Sequence, residues 1–288
     1  MNKNIIAILV TFSALFSACG DGSQSQSSSA DSTKKKTAEK KSEIKDEELY
    51  PFMLGGIYFF NGYGGAPRTF DVVIKSAMKA APGSPEFLKE LQAAYHQFFV
   101  FPFKPEEDPG GKEAKKTFNE WWGVKSKPEL ESLLTWLLKE GHQAEFVKYK
   151  SIIDAHGGPS ADLSKLNFNT YGLDDKNRDT KVTMTFVQQN YSAFSPAGIR
   201  AWDIARYVNN ICIAYQAQYF TKEEAMMWLN KAVPVAREHY DSWIAYYNDF
   251  TLGRKFWNGG TDDQPIITET AVAMLRGNYS IYNYLAFE

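Results

Sequence analysis

The stretch from Ser195 to Phe220 constrains this chain most, because as a helix it has almost no face to give to water. Ser195 suits an N-cap and Pro196 the first helical position, where a missing N–H costs nothing. Ala201, Ala205, Val208, Cys212, Tyr215 and Tyr219 recur at spacings of four and three along one stripe, and Trp202, Ile204, Ile211, Ile213 and Ala217 fall outside it. A helix apolar nearly all round belongs at the centre of a protein. One narrow polar stripe remains, made of Asp203, Arg206 and Asn210. Two charges within a buried helix need partners, since an unpaired buried ion costs several kcal/mol. Arg206 can meet Asp203 on the same face, and Arg254 has the planar fork for a bidentate contact from another helix. An ion pair between Asp203 and Arg254 is the expectation.

Helical signals surround this stretch. Pro51 to Phe60 is apolar enough for a buried helix, broken at Asn61-Gly62-Tyr63-Gly64-Gly65, and Thr69 to Ala80 is helical again. The glycines lack the following Gly-Lys-Ser/Thr of a phosphate loop, so they read as a connector. Ser84-Pro85 opens a helix with Phe87, Leu91, Tyr95 and Phe98 on one side. Ser126-Lys127-Pro128-Glu129 and Thr221-Lys222-Glu223-Glu224 are capping boxes. His142 to Asp154 form a further helix, Pro234 divides or kinks the one after Thr221, and Asp241-Ser242-Trp243 begins a helix that ends in Trp257. Ile266 to Arg276 and Tyr279 to Phe287 make a final pair. Only Lys181 to Val187, with Val182, Met184 and Phe186 alternating against Thr183 and Thr185, has the period of a strand. The fold class is therefore all-α: a multi-helix domain around a long buried central helix, with at most a short strand or hairpin.

The N-terminus reads differently. Ile5 to Leu15 is an apolar run too short to span a bilayer, and Phe16-Ser17-Ala18-Cys19 places small residues before a cysteine, as in the lipobox of bacterial lipoproteins. Residues 1–18 are thus a signal peptide, and Cys19 carries the lipid and ties the chain to the membrane. Gly20 stands where inner-membrane retention signals of the enterobacterial type place Asp, so an outer-membrane address in the bacterial cell envelope is expected. Residues 19–48, rich in Ser, Lys, Glu and Gln, cannot offset the entropy of ordering. They make a tether reaching about 100 Å when fully extended. Residues 49–288 are one helical domain.

Charge and cysteine usage narrow the function classes. A formal net charge of −2, with both signs mixed along the chain, offers no phosphate-tracking surface, so nucleic acid is not an expected partner. With Cys19 acylated, Cys212 is left alone as buried packing, and no disulfide framework exists. Asp175, Asn177 and Asp179 match the first positions of a calcium loop, but Thr180 replaces its glycine and Phe186 its bidentate glutamate. The four histidines have no ligand spacing, and no His-Glu-x-x-His or Gly-x-Ser-x-Gly occurs. No metal and no cofactor is expected.

Three stretches stand together: Trp122-Gly123-Val124 before a capped helix, Ala201-Trp202-Asp203 with Arg206, and Ser242-Trp243 with Gly253-Arg254-Lys255-Phe256-Trp257. In combination they resemble the bacterial domain-of-unknown-function family 1266, over roughly Phe118 to Gly260. The resemblance implies a mostly helical fold and carries no activity with it.

Two readings of these residues remain. Asp203, Arg206 and Arg254 form a buried ion network among core tryptophans. Alternatively Trp202, Asp203, Arg206, Trp243, Arg254 and Trp257 line a pocket, in which the arginines hold a carboxylate or phosphate. The function expected is a non-enzymatic interaction or binding module of the envelope, with a protein partner or a small anionic ligand. The alternative is a hydrolase or transferase with its site around Asp203, Arg206 and Arg254, using Asp203 or Glu224.

Overall fold

The computed structural model describes residues 44–173, 178–262 and 264–287, all within one compact unit. Cys19 and, of the calcium-loop positions, Asp175 and Asn177 lie outside them. The α-helices in chain order are α1 (Tyr50–Met53), α2 (Gly56–Gly62), α3 (Ala66–Arg68), α4 (Pro85–Phe99), α5 (Lys112–Trp122), α6 (Lys127–Lys139), α7 (Gln143–Ala155), α8 (Arg178–Gln189), α9 (Arg200–Gln216), α10 (Lys222–His239), α11 (Trp243–Trp257) and α12 (Pro265–Ala273). No strand occurs among the described residues, and the fold is all-α. A single parallel bridge joins Ile44 to Leu285, so the ordered fold takes in residues ahead of Leu49.

The central helix is α9, packed against α6, α10 and α11. Ala201, Ile204, Ala205, Tyr207, Val208, Ile211, Cys212 and Ala214 on it have no exposed surface. Burial pushes the Cys212 thiol well up, so it stays protonated and inert. The helix is shorter than its sequence pattern at both ends. Gly198 takes φ +64°, a left-handed conformation that interrupts any helix begun at Ser195. Ser195 instead accepts from the Ala197 N–H at 3.1 Å and donates its hydroxyl to Asp249. Gln218, also left-handed, ends the run after Gln216.

Other corrections follow from packing. Residues 181–187 lie within α8, not in a strand. Met184 and Val187 there are fully buried, three apart, and the hydroxyls of Thr183 and Thr185 donate to the carbonyls of Asp179 and Lys181 at 2.8 Å. Those back-bonds let β-branched residues sit in a helix. The Thr221 box forms, with reciprocal bonds to Glu224 at 2.9 and 3.2 Å. The Ser126 box does not: Ser126 makes no cap bond, and Glu129 accepts from the Lys125 N–H. Pro234 neither ends nor divides α10, which runs on to His239. It sits on the exposed face, where water can serve the carbonyl that its missing N–H leaves open. Residues 279–287 are a 3-10 turn, Ile281–Asn283, and an extended end rather than a helix.

Candidate functional site

The first turn of α9 grips the corner between α6 and α7. Gly141, left-handed at φ +55°, lets the chain turn there, and a side chain on it would meet the Asp203 carboxylate at 2.2 Å. Asp203 is fully buried. It accepts the N–H of His142 at 3.1 Å and that of Gln143 at 3.0 Å. It thus caps the N-terminus of α7 from another helix, where a negative charge meets the positive end of the dipole. Arg200, three residues earlier, donates to the carbonyl of Leu138 at 3.3 Å, at the C-terminal end of α6. Gln143 returns the contact by accepting the Ile199 N–H at 2.7 Å. Each helix end therefore supplies what the other lacks.

Arg206 lies beside this clamp. Its guanidinium carbon is 4.4 Å from the Trp122 ring centre and 5.0 Å from that of Trp202. Nη1 is 2.9 Å from Nδ1 of His142 but 3.9 Å from the nearer Asp203 oxygen, too long for a hydrogen bond. Since arginine only donates, His142 Nδ1 is the acceptor in that contact. Burial lowers the Arg206 pKa, against the opposing pull of Asp203 and Tyr58.

The expected ion pair takes another form. Among the described residues the cation nearest Asp203 is Arg206, at 3.9 Å, with the His142 ring beside it, and Arg254 is not paired with it. Arg254, buried on α11, instead lies 5.8 Å from the Trp202 ring centre. Trp202 itself, 4% exposed, packs on Phe250 at 5.4 Å and on Trp257 at 6.1 Å. The helices approach this closely because Gly253 faces Trp202: a Cβ there would come within 2.5 Å of the Trp202 Cβ. Trp202, Asp203, Arg206, Arg254 and Trp257 are thus brought together, with Trp257 37% exposed. Trp243 is elsewhere. It packs among Tyr50, Tyr247, Tyr282 and Phe287 and donates its indole N–H to the Leu285 carbonyl at 2.9 Å.

Three members of the neighbourhood carry no sequence signal of their own. His142 stood as one of four scattered histidines, and Trp122 only within a family motif. Tyr58, on α2, stacks edge-on against Phe250 at 6.0 Å, and its hydroxyl feels the charges of Arg206, Arg254 and Asp203. The Tyr58 hydroxyl, the Trp202 indole N–H and the Asn210 amide nitrogen are buried with no hydrogen-bond partner. Against this, the depression lined by His156, Asp162, Lys165 and Tyr171 is open and lies on exposed polar side chains. No cluster of metal-ligating side chains occurs among the described residues, and no helix there is long and apolar enough to cross a membrane.

Comparison with known proteins places this arrangement in a family. Residues 117–287 match the family described as Protein of unknown function (DUF1266), a span that includes Trp122, His142, Trp202, Asp203, Arg206, Arg254 and Trp257 but not Tyr58. The chain is similar to two proteins of Escherichia coli (strain K12). It is 34% identical to Uncharacterized protein YbeU over 73 residues, which are 25% of this chain and 31% of YbeU. It is 22% identical to Uncharacterized protein YbeR over 150 residues, 51% of this chain and 60% of YbeR. Each match therefore spans less than two thirds of the relative. No solved structure matches the chain. With more than half of its length matched, the chain belongs to the DUF1266 family of proteins of unknown function.

Proposed function

We propose that this protein is a non-enzymatic binding module of the bacterial cell envelope, anchored by lipid at Cys19 and recognising its ligand at the aromatic and arginine cluster around Trp202. The observation that carries the reading is a buried indole N–H with no partner, set between two guanidinium groups. Native interiors satisfy their polar groups, so a buried donor without a protein acceptor beside buried charge is a place that a ligand atom or a water can serve.

The hydrolase or transferase alternative is less well supported. Asp203 accepts two backbone N–H groups at the start of α7, so its oxygens are engaged in holding that helix end. Glu224 is committed to the Thr221 cap and to Lys127 at 2.5 Å. The test is a screen of the full chain carrying Cys19→Ala against metabolite and hydrolase-substrate panels, reading tryptophan fluorescence and turnover together. Saturable fluorescence change without turnover supports a binding module. Turnover abolished by Asp203→Asn, with the fold intact, would replace it by the enzyme reading.

A further inference from the structure

Resting on that binding reading, we propose the chemical class of the ligand: the Tyr58 hydroxyl, the Trp202 indole N–H and the Arg206 guanidinium form a site for a compact oxyanion, a carboxylate or phosphate group. Trp202 and Tyr58 each bury a polar atom without a partner, whereas Arg206 donates to Nδ1 of His142 from one of its five N–H groups. An indole N–H can only donate, and so can a guanidinium. The Asn210 amide, one helical turn beyond Arg206, adds a further unpartnered N–H donor. Of the unpartnered atoms, the Trp202 and Asn210 nitrogens donate, and only the Tyr58 hydroxyl oxygen can also accept. A set composed of donors calls for an acceptor.

Charge gives the sign of that acceptor. The Arg206 cation is 8% exposed, and among the described residues the carboxylate paired with it, Asp203, stands 3.9 Å away and accepts the His142 and Gln143 N–H groups. The clamp that fixes Asp203 on α7 therefore leaves the guanidinium short of a hydrogen-bonded anion. Burial keeps the Tyr58 hydroxyl protonated at neutral pH, so it can donate as well. The Arg206 guanidinium carbon lies over the Trp122 and Trp202 rings, at 4.4 and 5.0 Å, and its planar fork carries its N–H groups along its edges. That is the geometry by which arginine takes an oxyanion through paired bonds. Trp257 beside Trp202 reaches solvent and marks the side on which the remainder of a ligand would lie.

The test uses the full chain, with sodium phosphate and sodium acetate as probes against sodium chloride at equal ionic strength. Thermal unfolding is followed across a concentration series, since a ligand that binds the folded state at free concentration L adds RT ln(1 + L/Kd) to its stability and so raises Tm. With at least one of the two anions the parent should show a rise that grows with the logarithm of concentration above Kd, and the arm that responds identifies phosphate or carboxylate. Tyr58→Phe should unfold at the same or a higher temperature without ligand, because it removes a buried unpaired hydroxyl. Its affinity for the anion should nonetheless fall about tenfold or more, as for any lost hydrogen bond to a charged group. Arg206→Lys, which keeps the charge but not the fork, should weaken binding as well. An anion response unchanged in both variants, or no response in the parent, overturns the inference. If the parent ignores both anions while its tryptophan fluorescence saturates with a neutral ligand, the oxyanion falls and the binding reading survives.

Discussion

At the scale of single residues, three carboxylates separate three uses of burial. Asp203 is a cap supplied from a distance, so Asp203→Ala leaves the His142 and Gln143 N–H groups at the start of α7 without their acceptor and the buried Arg206 without its nearby opposite charge. Denaturant unfolding should register a loss of about 3–5 kcal/mol, with Asp203→Asn losing less because one acceptor oxygen remains. Asp46 is different. Burial alone would raise its pKa, but the Leu49 N–H, Gln92 and His96 outweigh burial and hold it below the ordinary 3.8. A depressed carboxyl stabilises the fold above its unfolded pKa, and that contribution is lost as pH falls through the folded value. Asp46→Asn should therefore cost about 1–3 kcal/mol at neutral pH, and the gap to the parent should close in acid. Asp249 has the opposite sign: burial raises its pKa despite the Ser195 and Tyr240 contacts. The folded form then favours the protonated acid, so the parent loses stability relative to Asp249→Asn as pH rises through the folded value. Stability curves that moved the same way with pH in both variants would contradict these assignments. Of these roles only the burial of Asp203 was legible beforehand. The residues that satisfy it lie some sixty positions upstream, and they act through backbone N–H groups, which no side-chain pattern announces.

At the scale of elements, the corner between α6 and α7 and the crossing of α9 with α11 decide the site. Gly141→Ala would combine left-handed strain with a collision on Asp203, whereas Gly123, also left-handed at φ +67°, has nothing within 4 Å of an added Cβ. Gly123→Ala should cost about 1–2 kcal/mol from strain alone. Gly141→Ala should cost clearly more, by about 1–3 kcal/mol of overpacking; equal losses in thermal unfolding would mean that Asp203 is not packed on that corner. Helix existence was readable here wherever apolar spacing and caps agreed, as for α4, α7 and α11. Ser84 and Ser242 do accept the N–H groups of Phe87 and Ala245. The α8 segment was not readable, because Val182, Met184 and Phe186 fit a period of two, whereas Val182 is exposed and the most buried pair, Met184 and Val187, joins Thr180 and Thr183 on one helical face with Phe186 beside it. A short window with threonines at alternate places serves both periods, and only tertiary packing chooses.

At the scale of the whole molecule, one buried helix both organises the core and presents Trp202 and Arg206. Family membership extends that arrangement from residue 117 to 287, while Tyr58 reaches the same cluster from outside the matched span. The polar stripe on α9 was legible from composition and period; its division was not. Asp203 turns to the α7 cap, Arg206 to tryptophan faces, and Trp243 joins a separate aromatic cluster, because the crossing at Gly253 sets which rings meet. The tether belongs to this scale too. Cys19→Ala should release the protein from the membrane fraction, and a variant held as firmly as the parent would end the lipoprotein proposal. The claim at the centre of the account, that the Trp202 cluster is a binding site, is tested most directly at one proton. In an 15N-labelled sample the Trp202 indole N–H is assigned with Trp202→Phe and followed as phosphate or acetate is added. Its resonance should shift saturably, while that of Trp243, already bonded to the Leu285 carbonyl, should stay in place. A Trp202 resonance that does not move, or that moves no more than Trp243, would contradict the claim.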